Sequence, residues 1–406
     1  MIAESIPKLA QRILRKGVAE TFRFRMPREL WTEHGAWIAT CKGLSQFMPS
    51  PGANGGPVFE LAQTLRQETL GLYKNRYEKY PNLRVLIHVP PARVSMGGNS
   101  LFQNWVEGLK HMGVHCAMIE NGTSVNDTIE RFKPTVLFTS DNHSYSRWID
   151  WARLQTFRSR YPMTVAMTAA VEFDGVESIL TRLKIARERD IDFFVSFREP
   201  EYNAEYLKDW IREGFDVLSI PFSANPVSQF HVPFDPKPLD YVFLASINSE
   251  KALRYWKYYV NLLPKYRGII NGPGWRQDEL ILDRKYHSFL YALGSIGINL
   301  HIPVSIDLPT EINERTFILA CTGTFQLCDA PMVLRRFFPE TAVPSASTPA
   351  EYAEQFKYYL ENPEKRVSCQ LESLRSVYNG HTIFHRMIKF LDRVLASNLA
   401  NESMQN

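Results

Sequence analysis

The chain has 406 residues, 45% of them hydrophobic and 22% charged, with a net charge of +4. That is too long for one ordinary core, too apolar for a disordered chain and too nearly neutral for a dedicated nucleic-acid binder. The charge is also local: Lys8, Arg12, Arg15, Lys16, Arg23, Arg25 and Arg28 stand against Glu4, Glu20 and Glu29, and the rest of the chain is balanced.

In chain order, the first segment (1–82) reads as a partly irregular helical extension. Ile6, Leu9, Ile13 and Leu14 recur at helical spacing among basic residues, and a Pro/Gly-rich stretch follows at Pro49–Pro57. Two readings fit: an extension helix packed on the body, or a basic amphipathic helix in peripheral contact with an anionic membrane surface through residues 1–30. No apolar run approaches the ~18–20 residues of a membrane span, and the N-terminus lacks the apolar core of a secretory leader. Five scattered cysteines with no CxxC pair indicate neither a disulfide framework nor a zinc site. A cytoplasmic protein, associated at most with the inner face of the membrane, is the expectation.

From residue 84, short apolar runs alternate with segments of helical period, the pattern of a parallel sheet covered by helices. Strands are predicted at Arg84–Val89, His115–Ile119, Thr135–Ser140, Met163–Thr168, Asp192–Phe197 and Asp216–Ile220, with helices such as Asn99–Met112 and Val176–Arg189 between them. Pro221, Pro226, Pro233, Pro236 and Pro238 then crowd a linker that neither regular element tolerates. The alternation restarts with strands at Tyr241–Ser246, Gly268–Asn271, Ile296–His301 and Gly323–Cys328. The fold class expected is α/β: two Rossmann-like domains (83–238 and 239–380) facing across a cleft, with an N-terminal extension and a C-terminal helix and tail (381–406). Open α/β sheets bind ligands beyond the carboxyl ends of their strands.

The most informative stretch is Gly297–Asp329. An apolar strand ends in His301, a polar loop leads to Asn313-Glu314-Arg315, and a helix opens near Thr316. A helix N-terminus with an arginine at the sheet rim favours an anion, and Arg315 has the fork that clamps phosphate. The competing reading is a capping loop whose arginine pairs with Glu311 or Glu314. Asn271-Gly272-Pro273-Gly274-Trp275 forms a tight turn whose Trp275 either stacks on a base or packs in the core. Lys285 opens the next helix near the same edge.

In the first domain, Gly97, Gly98 and Asn99 follow the first strand, where glycines admit close backbone approach and Asn99 or Ser100 fits a helix cap. Asp141 and His143 follow the third strand and have the chemistry of a general base, though a solvated loop histidine is the commoner case. Asp190 and Asp192 fit an Asp-x-Asp metal pattern, but their place between a helix end and a strand start argues against metal.

Asn299, His301, Asn313, Arg315, Phe317, Gly323 and Asp329, with Asn362-Pro363-Glu364-Lys365-Arg366 and the terminal segment Gly380–Arg386, resemble the donor domain of CgeB-like (spore-maturation-protein-like) group 1 glycosyltransferases. Tyr241–Ser246 resembles the strand that opens that domain, and the likeness spans about 240–395. The resemblance implies a GT-B fold and transfer of a sugar from a nucleotide-sugar donor to a glycan, protein or small-molecule acceptor, with no metal and no cofactor beyond the donor. It implies a donor site at His301, Asn313, Glu314, Arg315, Thr316, Gly272, Trp275 and Lys285, with Arg315 also stabilising the leaving group. His143 or Asp141 is then the candidate base and Gly97, Gly98 and Asn99 the acceptor side. Where relatives carry a glutamate that holds the donor ribose, this chain has Ile318, and Glu314 is the candidate substitute. The rival reading is a two-lobed binding protein of the same fold without turnover.

Overall fold

The computed structural model describes residues 55–405, except 90–95, 121–123, 142–145, 170–177, 235, 247–253, 256, 260, 273–283, 302–311 and 330. His143, Trp275, Glu311 and the basic N-terminal segment therefore lie outside the described residues. The chain divides into two compact units. One comprises Glu68–Ser228 and Thr382–Asn406, the other the residues up to Gln67 together with Gln229–His381. Helix α1 (Gly56–Tyr73) runs from the second unit into the first.

The first unit is built on a six-stranded sheet, β1 (Arg84–Val89), β2 (His115–Glu120), β3 (Val136–Thr139), β4 (Thr164–Thr168), β5 (Phe193–Ser196) and β6 (Val217–Ser219). All neighbours are parallel and the order is β2-β1-β3-β4-β5-β6, so the winding reverses between β1 and β3. The helices are α2 (Met96–His111), α3 (Val125–Phe132), α4 (Trp151–Arg158), α5 (Ile179–Glu188), α6 (Pro200–Tyr206) and α7 (Lys208–Arg212). A parallel sheet covered on both faces needs strands without polar alternation, and β3, β5 and all but the first residue of β1 are buried throughout. One face packs around Trp105, which stacks on Phe138 at 5.1 Å, with Phe390 edge-on to both. The other face gathers Leu154, Phe157 and Ile129.

The second unit holds a four-stranded parallel sheet, β7 (Leu239–Leu244), β8 (Gly268–Asn271), β9 (Gly294–Asn299) and β10 (Gln326–Cys328). Its order is β10-β9-β7-β8, so here the reversal falls between β7 and β9. Its helices are α8 (His287–Leu293), α9 (Glu314–Cys321), α10 (Pro331–Leu334), α11 (Pro349–Glu361) and α12 (Pro363–Gly380). A tyrosine-rich cluster (Tyr241, Tyr255, Tyr259, Tyr352) covers one face, and Leu290, Leu293 and Leu319 the other. The last helix, α13 (Ile383–Gln405), groups with the first unit, where Phe384, Met387 and Phe390 enter the core.

All ten strands foreseen from periodicity are present, with ends shifted by up to three residues. The proline-rich linker is irregular apart from a bridge between Ala224 and Thr382. Prolines donate no hydrogen bond, so carbonyls along such a segment need donors from elsewhere. Arg386 supplies them, with Nε to the carbonyl of Pro221 at 2.9 Å and Nη2 to that of Phe222 at 3.4 Å. Burial lowers the pKa of this guanidinium to about 10.

Candidate active site

In the second unit His301, Asn313, Arg315 and Thr316 come together at the carboxyl ends of β7 and β9, while Gly272 lies at the end of β8. Asn313 is the N-cap of α9: its backbone is extended and its Oδ1 accepts from the Thr316 N–H at 3.0 Å. The Asn313 amide donates to Asn299 Oδ1 at 3.0 Å and to the Leu300 carbonyl at 3.2 Å. Asn299, fully buried, donates in turn to Thr316 Oγ1 at 2.9 Å and Gln326 Oε1 at 2.8 Å, and Gln326 Nε2 donates back to the Thr316 carbonyl. The strand end, the helix start and β10 are thus locked by one buried polar network in which each amide is satisfied.

His301 closes the network on the other side. Its backbone N–H donates to Asp329 Oδ1 at 2.8 Å, its Nδ1 lies 2.9 Å from the same oxygen, and its Nε2 lies 3.2 Å from Thr316 Oγ1. A carboxylate only accepts, so Nδ1 carries the proton. The Asp329 side chain is wholly buried, and its second oxygen accepts from Arg254 Nε at 2.7 Å. His301, Cys328 and Asp329 form a compact buried set with ligand atoms within 4.8 Å of one another. Both carboxylate oxygens are engaged and a guanidinium neutralises the charge, so this donor set is spent within the protein rather than open to a cation.

Arg315 lies at the reversal of strand order. Its Nε donates to the Leu244 carbonyl at the end of β7 (2.9 Å), its Nη1 to the Leu300 carbonyl just past β9 (3.3 Å), and its guanidinium stands over the Phe243 ring at 5.0 Å. The charge also faces the hydroxyls of Tyr255 and Tyr291, whose pKa values burial raises to about 12 against the arginine's opposing effect. The pairing with Glu314 weighed from sequence is not formed; the partners are main-chain carbonyls. Glu314 and Thr316 sit on the same first turn, Thr316 buried and Glu314 partly exposed. Ile318 packs partly buried against the cluster around Leu290 and Leu319, one turn beyond Glu314 on the same helix face.

Gly272 follows β8 with φ at +147°, and a Cβ there would lie 2.2 Å from the Ala245 carbonyl oxygen, so only glycine lets the two strand ends approach. The backbone of Lys285 lies in a short 3-10 turn before α8. A cavity of about 90 Å³ in the same unit, lined by Ala62, Gln63, Arg66, Gln67, Phe230 and His231, contains none of the predicted donor residues.

In the first unit the predicted acceptor residues also fall at the reversal of strand order, after β1 and β3. Helix α2 begins at Met96, three residues before the predicted start, so Gly97, Gly98 and Asn99 form its first turn and Asn99 is not the cap. Buried Asn99 instead donates to Glu120 Oε1 at the end of β2 (3.0 Å) and accepts from Gln103. Asp141, also buried, pairs with Arg182 Nη1 at 2.5 Å, while its other oxygen accepts from Thr168 at 2.8 Å. Asp190 and Asp192 are both held by Arg158, which accounts for the Asp-x-Asp pattern.

Arg254, Gln326 and Arg182 were not singled out from sequence. Arg254 opens the helical residues after β7, and a cation at that position is the only signal it offered. Arg182 is an arginine on an apolar helix face, a hint of a buried carboxylate partner.

Residues 254–392 match the family described as glycosyl transferase-like. No curated protein matches the chain. Among solved structures, sucrose-phosphate synthase from Thermosynechococcus elongatus superposes with a TM-score of 0.51 at 12% identity, over 78% of this chain and all of that one. Anabaena HepE in complex with UDP and glucose gives 0.52 at 8% identity, over 77% and 100%. T4 phage BGT in complex with UDP and Mn²⁺ gives 0.50 at 11% identity, over 77% and 99%. At these identities the likeness is one of fold, and the fold is GT-B, with two Rossmann-like domains. Residues 254–392 are a glycosyltransferase-like domain in a chain of that architecture, the make-up of a GT-B glycosyltransferase.

Proposed function

We propose that the chain moves a hexosyl group from a UDP-sugar to a glycan, protein or small-molecule acceptor, within the CgeB-like branch of group 1 enzymes. The observation that carries this reading is the carboxyl edge of β7 and β9, where a capped helix opens at the reversal of strand order inside the glycosyl transferase-like segment. Such an edge is where open α/β sheets take nucleotides. UDP is the nucleotide proposed because HepE and the phage enzyme were both solved with uridine nucleotides.

In this proposal the diphosphate lies toward the start of α9, where the helix dipole favours negative charge as the leaving group departs. His301, Asn313 and Thr316 hold that edge rigid. Glu314 takes the ribose in place of the residue at Ile318, since the two share one helix face. Gly272, Trp275 and Lys285 line the nucleotide side, and Gly97, Gly98 and Asn99 the acceptor side.

Asp141 has both oxygens engaged, one by Arg182 and the other by Thr168, which leaves neither placed to take the acceptor's proton. His143, two residues on, therefore carries the base role. No metal takes part; protein dipoles and cations do that work. The basic segment 1–30 rests on an anionic membrane at the cytoplasmic face.

The test is nucleotide release from UDP-glucose and related donors, with and without candidate acceptors, in EDTA and in Mn²⁺. The proposal expects UDP release that EDTA leaves intact and that His143→Ala lowers by about 10²-fold or more. A protein that holds UDP yet releases none from any donor is a binding protein, and the transferase reading then fails.

A further inference from the structure

Away from the donor edge, the second unit carries the cavity of about 90 Å³ noted above. Ala62, Gln63, Arg66 and Gln67, spaced to share one face of α1, form one wall, and Phe230 and His231 of the proline-rich linker form the other. His231 ties that second wall to α9, because its Nδ1–H donates to the Thr322 carbonyl at the end of the helix (2.6 Å). Asn313, Arg315 and Thr316 stand at the opposite end of α9, eight residues or about 12 Å away.

The lining has a defined chemistry. A carbonyl only accepts, so Nδ1 keeps the proton and Nε2 is the ring nitrogen left to accept from a ligand. Burial, with Lys237 nearby, lowers the His231 pKa to about 4, so the ring is neutral at physiological pH. The Arg66 guanidinium stands over the Phe230 ring at 5.3 Å. The buried groups that feel its charge, Cys321 and Tyr378, are neutral, since burial raises both pKa values. Gln63 and Gln67 are exposed, and each amide both donates and accepts.

A ligand that suits all of these brings an anionic oxygen for the guanidinium, an O–H for the neutral imidazole and further hydroxyls for the amides. A sulfate or a phosphate ester dianion offers Nε2 no donor. The amino end of α1 at Gly56 is ten residues from Arg66, beyond the reach of the helix dipole that would help to hold such an anion. At ~10–15 Å³ for each water the cavity has space for about six to nine, the room of a monosaccharide.

We infer that this cavity is a second binding site, for a hydroxylated carboxylate of monosaccharide size, a sugar acid, with Arg66 on the carboxylate and His231, Gln63 and Gln67 on the hydroxyls. It stands apart from the donor edge and does not rest on the donor reading. The same chemistry belongs to a free sugar acid and to a uronic acid at the end of a glycan.

The test is calorimetric binding of glucuronate and galacturonate to the full chain, set against glucose, which lacks the carboxylate, and methyl glucuronide, whose ring is closed as in a glycan. Wild type, Arg66→Gln and Gln63→Trp are compared, with folding checked by thermal melts. The inference expects one of the two acids to bind with a Kd of about 1 mM or tighter, and glucose about tenfold or more weakly. Arg66→Gln should weaken the acid by about tenfold or more, in line with the loss of a charge-assisted bond. Methyl glucuronide bound as tightly as the free acid supports a glycan end as the source, and binding of the free acid alone supports a metabolite. Wild type that binds neither acid, glucose that binds as tightly, or Arg66→Gln that folds and binds like wild type overturns the inference. Should Arg66→Gln not fold, Gln63→Trp, which fills the cavity from an exposed helix position, decides, and undiminished binding there overturns it. None of these outcomes depends on whether the chain binds UDP.

Discussion

Arg315 was the residue the sequence pointed to most strongly, and its surroundings change what its removal should do. In Arg315→Ala the Leu244 carbonyl loses this donor while the Leu300 carbonyl keeps the one from Asn313, and a group left unpaired costs about 1–3 kcal/mol when buried. Arg315→Ala should therefore lower unfolding free energy in urea by roughly that amount. Arg315→Lys should recover little, since an ammonium cannot span both carbonyls in one plane. An Arg315→Ala variant as stable as wild type would show that these bonds carry no weight.

His231 gives a second prediction at this scale. Its Nδ1–H donates to the Thr322 carbonyl at 2.6 Å, and burial, with Lys237 nearby, lowers its pKa to about 4. The unfolded histidine, near 6.5, takes up a proton first as pH falls, so the unfolded state gains and stability is lost from pH 6.5 down toward 4. Burial likewise lowers His385, so it adds to the same slope. His231→Gln, which keeps a donor for Thr322, should flatten the stability profile between pH 6.5 and 5, above the range where most carboxylates titrate. An unchanged slope would mean that His231 titrates normally.

At the scale of elements, the ends of helices and strands decide the local geometry. The Asn-Pro-x-x-Arg start of α12 has a structural use: Pro363 takes the first helical position, and Arg366 turns back to the carbonyls of Tyr359 and Leu360 at the end of α11. Arg366→Ala should cost about 1 kcal/mol by urea titration, the size of an ordinary hydrogen bond. Gly272→Ala should cost about 1–3 kcal/mol, because its Cβ would overlap the Ala245 carbonyl in a backbone region that side chains avoid. A melting temperature unchanged in both would contradict these assignments.

The alternation of apolar runs made every strand legible because a doubly covered parallel sheet leaves no room for polar alternation. The start of α2 was misread at Asn99 because an asparagine in the first turn has the composition of a cap while its side chain goes to Glu120. Asn313 was legible as part of the donor motif, and its capping of α9 is a local contact; the network it shares with Asn299 and Gln326 depends on contacts up to 27 residues apart that no local pattern records. Arg182 was hidden for the same reason, since its partner Asp141 lies 41 residues away.

At the scale of the whole molecule, each sheet reverses its strand order once; Gly97, Gly98, Asn99 and Asp141 follow the strands at one reversal, and His301, Asn313, Arg315 and Thr316 those at the other. The glycosyl transferase-like segment covers the β9 side of the second, with α9 and β10, and begins after β7. Among the described residues no helix is long and apolar enough to cross a membrane. The central claim is that the unit built on β7–β10 holds a uridine diphosphate donor. The most direct measurement is the melting temperature of the full chain across a titration with UDP, GDP, ADP, CDP and dTDP. Ligand at ~100 times its dissociation constant stabilises the folded state by about 2.7 kcal/mol, a shift of a few degrees for a domain of this size. The account predicts that shift with UDP and a smaller one with the other nucleotides. A melting temperature that no nucleotide moves would contradict it.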